Sequence, residues 1–279
     1  MSWAKSRCPE NVQSKGEIHD FDWCINKCQW PCLPKSVIYN ITKEDELWQE
    51  RTARAKKNNK DDKLRISVTS LLYCQRKHYY SLLYDFVAEP PEMWSLYLGS
   101  AVHTMLEPID KNLTDYHFEE KFEKEFNDVT IVGKIDAIDF RLKRIEDHKS
   151  ITDGGMNIKI KEGASIEHCE QINIYRWLAI EKYPAIKNFD MIINYVSMGS
   201  IVSTNTIASV VAWRKSKPSD KGMSYAVKTE QNRKGQDKWL VYYNVPEVKR
   251  WSLNKVEKFV QEKSEIMKQA ILNDVIPPF

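Results

Sequence analysis

Two strand-like runs joined by a short basic turn, between residues 131 and 150, constrain this chain more than any other stretch. Side chains alternate along a strand, so every second residue of each run shares a face. On the first run that face holds Val132, Lys134, Asp136 and Ile138. On the second run it holds Ile145, Asp147 and Lys149. Carboxylates on such apolar strands need a compensating charge, and a divalent metal ion supplies one.

This pair of runs predicts a metal-dependent site that cleaves phosphodiesters, in which Lys149 holds or deprotonates a water molecule. The same residues also fit a solvated hairpin with an Asp–Lys pair on its surface. The rest of the chain favours the first interpretation.

The length of 279 residues allows a sizeable core, in one large domain or in one domain with a small module. Hydrophobic residues make up 42% and charged residues 29%, as in soluble globular proteins. The sequence contains no run of eighteen apolar residues, so it predicts no membrane span. Its first residues lack the apolar segment of a signal peptide. The net charge is only +3, so a nucleic-acid surface would have to come from local clustering.

Four of the six cysteines lie close together near the N-terminus, at Cys8, Cys24, Cys28 and Cys32. Without a visible secretory signal, cysteines favour a reducing compartment and metal ligation over disulfides. Four thiolates suit a closed tetrahedral Zn²⁺ site, which can fold a segment too short for its own core. An iron–sulfur cluster and ordinary buried cysteines are the alternatives.

A charged stretch over residues 51–63 contains no large apolar residue, and we place a domain boundary there. It separates a Cys-rich module and linker, residues 1–63, from a larger domain, residues 64–279. Further elements are predicted from apolar periodicity and capping residues. They are helices over 42–57, 67–87, 164–182 and 246–272, strands over 116–126, 190–198 and 201–213, and a turn at Gly154 and Gly155.

Two stretches combine basic and aromatic residues and are candidates for contact with DNA. Arg76 and Lys77 lie among tyrosines on the helix predicted over 67–87. The second stretch, 213–238, includes Arg214, Lys215, Arg233 and Lys234. Such a mixture suits a track for single-stranded nucleic acid, because bases stack on rings while cations meet phosphates. A solvated loop or hairpin is an equal alternative for the second stretch.

Five short motifs follow one another over about 110 residues. They are S-x-x-x-L-x-x-C-x-R from Ser67 to Arg76, G-x-x-x-H-x-x-x-E at Gly99, His103 and Glu107, G-x-x-D at Gly133 and Asp136, IEDHKS from Ile145 to Ser150, and Q-x-x-x-Y at Gln171 and Tyr175. In this order they make the chain resemble the PD-(D/E)XK nuclease superfamily, nearest to its RecB-type exonucleases and the CRISPR-associated spacer-acquisition nucleases.

The resemblance implies an α/β fold with a restriction-endonuclease-like core, in which helices flank a mixed central β-sheet, beside the small Cys-rich module. It also implies that His103, Asp136, Asp147 and the carbonyl of His148 bind Mg²⁺ or Mn²⁺, with Glu107 behind them. Lys149 would position or activate the attacking water. Gln171 and Tyr175 would contact DNA near the scissile phosphate.

The function implied is that of a metal-dependent DNA nuclease, an exonuclease or end-processing enzyme that favours single strands or free ends. Such a protein works alone or with a recombination or integration partner, in the cytoplasm of a prokaryote or of a phage- or virus-infected host. Many relatives hold an iron–sulfur cluster with a cysteine at the Cys74 position and three near the C-terminus. No cysteine follows Cys169 here, so we expect no cluster of that kind.

Two alternatives lie outside catalysis. One is a nucleic-acid-binding module in which the acidic residues are structural. The other is a subunit whose cysteine module docks a partner protein.

Overall fold

The structure is a computed structural model that describes residues 5–7, 16–28, 64–83, 87–88, 98–99, 101, 115–197, 201–202, 223–231, 237–246, 248–273 and 276–277. Several predictions fall outside these residues. They concern the helix over 42–57 and the side chains of Cys8, Cys32, His103, Glu107, Arg214, Lys215, Arg233 and Lys234. Within the described part of the chain, no helix is long and apolar enough to span a membrane.

The strands are numbered in chain order. They are β1 (Lys5–Arg7), β2 (Ile18–Asp20), β3 (Leu64–Ser67), β4 (Val87–Ala88), β5 (Tyr116–Phe126), β6 (Val129–Asp139), β7 (Arg144–Ile151), β8 (Asp190–Ser197), β9 (Ile201–Val202), β10 (Met223–Gln231) and β11 (Asp237–Val245). The α-helices are α1 (Phe21–Asn26), α2 (Val68–Leu72), α3 (Gln75–Leu83), α4 (Asp153–Glu162), α5 (Ile166–Ala179) and α6 (Leu253–Asn273), and a 3₁₀ helix covers Pro184–Asn188.

Eight of the described strands form one mixed sheet in the order β10-β11-β8-β7-β6-β3, with β5 also paired to β6 and β9 to β11. The β7–β8 and β3–β6 pairs are parallel, and the other neighbours are antiparallel. The mixed α/β architecture with a central sheet flanked by helices is therefore confirmed. A smaller sheet joins β1 and β2 to β4, so its ladder spans the boundary placed at residue 63.

Strand β6 carries different neighbours along its two edges. One edge pairs with β5 over the whole length of β6. The other edge pairs first with β3, through residues 129–132, and then with β7, through residues 137–139. Between these two pairings, residues 133–136 have no ladder partner on either strand. The sheet therefore opens at the centre of β6.

The β6–β7 hairpin has the short turn that the sequence predicts. The backbone N–H of Leu142 donates to Asp139 Oδ1 at 2.7 Å, and Lys143 has a left-handed φ of 54°. Ile138 and Ile145 lie opposite each other and are fully buried, which anchors the register. Lys134 is exposed, however, so the residues expected to share one face of β6 have different surroundings.

Two predictions about local structure were wrong. The helix expected over 67–87 is two helices, since α2 ends at Leu72 and α3 begins at Gln75. Ser67 does cap α2, accepting from the N–H of Ser70 at 3.1 Å. The turn expected at Gly154 and Gly155 is instead the first turn of α4, because Thr152 provides an N-cap whose hydroxyl accepts from Gly155 N–H at 3.4 Å.

The ends of β5, β8 and α5 lie within three residues of their predicted positions. Helix α5 is shorter than the 164–182 expected, β8 begins at Asp190 as expected, and α6 begins at Leu253 rather than at residue 246. The predicted strand over 201–213 is described at Ile201–Val202 alone. The antiparallel β10–β11 pair lies within and beside the basic stretch 213–238, which agrees with the hairpin alternative for its backbone.

Helix α5 lies at the centre of the core. All residues from Gln171 to Ala179 are buried. Two of its polar residues, Asn173 and Arg176, bind the chain that leads into α6. Asn173 binds the Lys249 carbonyl and the Trp251 N–H, while Arg176 donates to the carbonyls of Lys187 and Trp251. Buried polar groups with such partners fix a single packing arrangement.

Gly133 allows β6 to approach α5. A Cβ atom placed there would lie 2.7 Å from Leu178 Cδ1 and 3.0 Å from Tyr175 Cε1. The first distance is too short for two carbon atoms and the second is tight, so a larger residue would force the side chains of Leu178 and Tyr175 to shift. The close packing of sheet and helix thus depends on glycine at this position.

We therefore expect Gly133→Ala to destabilise the protein by roughly 1–3 kcal/mol through overpacking. Gly155→Ala is the matched control, because its Cβ would meet only ordinary contacts at 3.5 Å on helix α4. Alanine should be neutral or stabilising there by up to about 1 kcal/mol. Urea unfolding of both variants measures the difference, and equal stabilities would contradict this account of the packing.

Candidate active site

The five residues predicted to take part in catalysis line one pocket. Asp136, Asp147, Lys149, Gln171 and Tyr175 border a cavity of about 310 Å³. They come from three elements, β6, β7 and α5. The pocket also borders residues 132–134 of β6, at the opening between β3 and β7, and the first residues of α2.

Asp136 lies within the opening of the sheet, and its carboxylate connects β6 to β7 there. Its Oδ2 accepts a hydrogen bond of 2.7 Å from the backbone N–H of His148 on β7. The carboxylate thereby satisfies an amide at a position where the β6–β7 ladder has ended. The N–H and C=O of one strand residue point to the same side, so the carbonyl of His148 is directed into the same opening.

Asp147 and Lys149 form a buried ion pair next to Asp136. The Asp147 side chain is fully buried, and Lys149 Nζ lies 2.9 Å from each of its carboxylate oxygens. Burial raises the pKa of Asp147 to about 6; Lys149 opposes this shift and the charge of Asp136 adds to it. Burial lowers the pKa of Lys149, but the charge of Asp147 outweighs it and leaves that pKa raised. Lys149 is therefore a cation in this state.

Two carboxylates held this close create a site with affinity for a cation. Asp147 Oδ2 is buried and makes no well-oriented hydrogen bond with the described residues, although the ammonium group lies near it. A buried oxygen of that kind suits a metal ligand. No third His, Cys, Asp or Glu joins this pair among the residues that the structure describes. Two carboxylates and a carbonyl nevertheless fit Mg²⁺, which takes oxygen ligands and keeps several waters.

Gln171 and Tyr175 are one turn apart on α5 and interact directly. The Gln171 side-chain amide donates to the Tyr175 hydroxyl oxygen at 2.8 Å. Burial, followed by the charge of Asp147, raises the pKa of Tyr175. The hydroxyl therefore stays protonated, and its proton is directed away from Gln171. This arrangement provides one hydrogen-bond donor at the wall of the pocket.

A polar network supports β7 from the neighbouring strands. Asn194 of β8 is buried, and its Nδ2 lies 3.0 Å from Glu146 Oε2 and 3.1 Å from His148 Nδ1. Tyr116 of β5 donates to the same Glu146 oxygen at 3.3 Å. These contacts fix the side chain of His148, the residue whose backbone N–H donates to Asp136.

His168 extends the polar face of α5 toward its N-terminus, one turn before Gln171. Its Nδ1 lies 2.7 Å from the hydroxyl of Tyr195, which pairs with Lys149 across the β7–β8 ladder. Burial, followed by the charges of Lys149 and Lys159, lowers the pKa of His168 to about 4. The imidazole is therefore neutral near pH 7. The i, i+3, i+7 spacing of 168, 171 and 175 is the sequence signal that could have identified this residue.

Two residues that line the pocket were given no role from the sequence, although Lys134 was placed on the same strand face as Asp136. Lys121 of β5 and Lys134 of β6 both line the pocket and lie directly opposite each other in the ladder. Alternating charges along β5 are ordinary for an exposed strand, so only the register reveals this pair.

Within the described part of the chain, the remaining residues singled out from the sequence lie outside the pocket lining. Arg76 is half-buried and its Nε donates to the Pro277 carbonyl at 2.8 Å, while Lys77 is exposed. Gly99 approaches Ser150 at the end of β7, where its Cβ would lie 3.5 Å from the hydroxyl oxygen. Cys24 is buried on α1, and Cys28 is half-buried just after this helix. The predictions of DNA contact and of a structural metal remain predictions.

Comparisons with known proteins add little to this geometry. The sequence matches no protein-family model, and no curated protein matches it. One solved structure that matches is described as the crystal structure of SSO0001, with a TM-score of 0.40 and 17% identity over 77% of this chain and 79% of that one. A likeness this weak carries no argument about fold or function, which rest on the residues themselves.

The lowered pKa of His168 predicts a specific acid sensitivity. The unfolded chain, with a histidine pKa near 6.5, binds a proton that the folded state accepts only near pH 4. Stability should therefore fall as the pH decreases through that window, by about 2 kcal/mol at pH 5 from this residue alone. Urea unfolding at pH 7.5 and pH 5 should show a smaller pH effect in His168→Gln than in the wild type. An equal effect in both proteins would refute the assignment.

Proposed function

We propose that this chain is a metal-dependent deoxyribonuclease that hydrolyses phosphodiester bonds as an exonuclease or end-processing enzyme. The observation that carries the proposal is the convergence of Asp136, Asp147, Lys149, Gln171 and Tyr175 on one pocket. These side chains are separated by up to 39 positions in the sequence. A solvated hairpin with a surface Asp–Lys pair is the weaker explanation, because Asp147 is fully buried.

In this proposal Asp136, Asp147 and the carbonyl of His148 hold Mg²⁺ or Mn²⁺. His103, which lies outside the described residues, would be a further ligand. A metal ion bound there supplies a Lewis acid for the phosphoryl oxygens and lowers the pKa of a bound water. The resemblance of the motifs to PD-(D/E)XK nucleases supports this assignment.

The chain's own residues have distinct tasks in the reaction. Lys149 is protonated and buried, so it positions the attacking water and balances the negative charge of Asp147. The Tyr175 hydroxyl donates to a phosphoryl oxygen, while Gln171 fixes its orientation from behind. A donor that is fixed before the reaction stabilises charge that develops in the transition state.

The N-terminal cysteines belong to a separate part of the proposal. Cys24 and Cys28, with Cys8 and Cys32 outside the described residues, would bind a structural Zn²⁺. Such a site would fold the segment that precedes residue 64. Elemental analysis of the purified chain tests this part independently of cleavage.

The metal assignment is tested by Asp147→Asn, which keeps the size of the side chain and removes its charge. We expect cleavage of end-labelled DNA in Mg²⁺ or Mn²⁺ to fall by about 10²–10⁴-fold. Binding of the DNA should persist, and calorimetry should show loss of Mn²⁺ binding.

Asp190→Asn is the matched control, because it removes a carboxylate from the start of β8, outside the pocket. It should cleave DNA and bind Mn²⁺ like the wild type. If Asp147→Asn cleaves at the wild-type rate, the site is wrong. If the wild type binds DNA without cleaving it under any metal, a nucleic-acid-binding module becomes the better description.

Tyr175→Phe tests the donor role, since it removes only the hydroxyl and keeps the ring that packs on Gly133. We expect kcat to fall by roughly 10²-fold with little change in KM, because the bond forms in the transition state. Tyr183→Phe removes a hydroxyl that binds Glu120 instead, and it should leave kcat unchanged. A normal kcat in Tyr175→Phe would remove this residue from the mechanism.

A further inference from the structure

Three lysines line the pocket, and they differ in how their charges are balanced. Lys149 pairs with Asp147 at 2.9 Å, and Lys134 forms an ion pair with Glu119. The third, Lys121, is exposed and forms no ion pair with any residue that the structure describes. Among the lysines of this pocket, Lys121 is therefore the one whose charge has no acidic partner within the described structure.

The position of Lys121 carries an energetic cost. It lies directly opposite Lys134 in the β5–β6 ladder, and like charges at opposite positions destabilise a sheet. Glu119 pairs with Lys134 and so reduces this repulsion, and Glu123 pairs with Arg65. Neither carboxylate balances the charge of Lys121. An anion bound in the pocket would balance the charge of Lys121.

The topology separates Lys121 from the Asp147–Lys149 pair. Strand β6 lies between β5 and β7, so the two lysines stand on strands about 10 Å apart. They can therefore serve two different phosphate groups. A lysine acts on phosphate as a mobile point charge and does not distinguish bases.

We propose that Lys121 binds a second phosphate of a polynucleotide strand, next to the phosphate that is cleaved at Asp136 and Asp147. This inference rests on the proposed nuclease function and narrows it. The substrate is a strand with at least two phosphates, held without regard to base sequence. A diester with a single phosphate would reach the carboxylates but leave Lys121 without a partner.

The test compares Lys121→Ala with Arg141→Ala, which removes the same charge from an exposed position in the β6–β7 turn. Binding of a fluorescent single-stranded oligonucleotide is measured by anisotropy at several salt concentrations. Lys121→Ala should weaken binding about tenfold, as for a hydrogen bond to a charged group. It should also reduce the slope of log K against log salt by about 0.7, the value for one phosphate of a single strand. Arg141→Ala should keep the wild-type slope.

A second measurement uses two substrates, the oligonucleotide and bis(p-nitrophenyl) phosphate, which has one phosphate. In Lys121→Ala, kcat/KM for the oligonucleotide should fall about tenfold relative to kcat/KM for the small diester, and in Arg141→Ala the ratio should be that of the wild type. An unchanged salt slope, an unchanged ratio, or the same loss in Arg141→Ala would overturn the proposal.

The binding measurement separates this inference from the proposed function. If the wild type cleaves neither substrate, the nuclease assignment fails, while a reduced salt slope in Lys121→Ala still supports the phosphate contact. If the wild type cleaves both substrates and Lys121→Ala keeps the wild-type slope, the inference fails and the nuclease assignment stands. If the wild type does not bind the oligonucleotide, both fail.

Discussion

The hydrogen bond from the His148 amide to the Asp136 carboxylate is the contact on which the pocket depends. Strands β3 and β7 share one edge of β6, and neither reaches residues 133–136. Such an opening would leave backbone amides without partners, which is costly in a buried sheet. A side-chain acceptor at Asp136 satisfies one of them and connects the strands across the gap. The same bond fixes the orientation of the carboxylate at the pocket.

The ion pair beside this bond is not explained by stability. Removing two charges from water costs several kcal/mol per ion, and the pair recovers this only with good additional hydrogen bonds. Asp147 Oδ2 lacks such a bond among the described residues, and the charge of Asp136 further disfavours the ionised form. Packing around it is nevertheless tight, as the contact of Gly133 with Tyr175 shows. A costly charge inside a well-packed core points to a role for that charge.

Periodic patterns in the sequence predicted those strands and helix faces that depend on interactions between nearby residues. The period-2 pattern identified β5, β6 and β7, and the four-residue spacing of Gln171 and Tyr175 placed them on one face of α5. The prediction of a turn at Gly154 and Gly155 was wrong, because the Thr152 cap outweighs the low helix propensity of glycine and these residues begin α4. The opening in β6 depends on the pairing of β6 with β3, which lies about 60 residues before it in the sequence. The opposition of Lys121 and Lys134 instead follows from the two-residue turn at Asn127 and Asp128, which sets the register of β5 against β6. Alternation along a strand does not by itself give the register against a strand from a distant part of the chain, so the opening was not predicted.

The charges of the pocket are distributed unevenly across the sheet. On the β7 side, two carboxylates and one ammonium group leave a net negative charge that a divalent cation can reverse. On the β5 side, Glu119 neutralises Lys134 and leaves the charge of Lys121. If the proposed metal ion binds, an anionic strand would meet that ion on the β7 side and the Lys121 ammonium group on the β5 side. Because the two sides differ in chemistry, they would orient the strand as well as attract it.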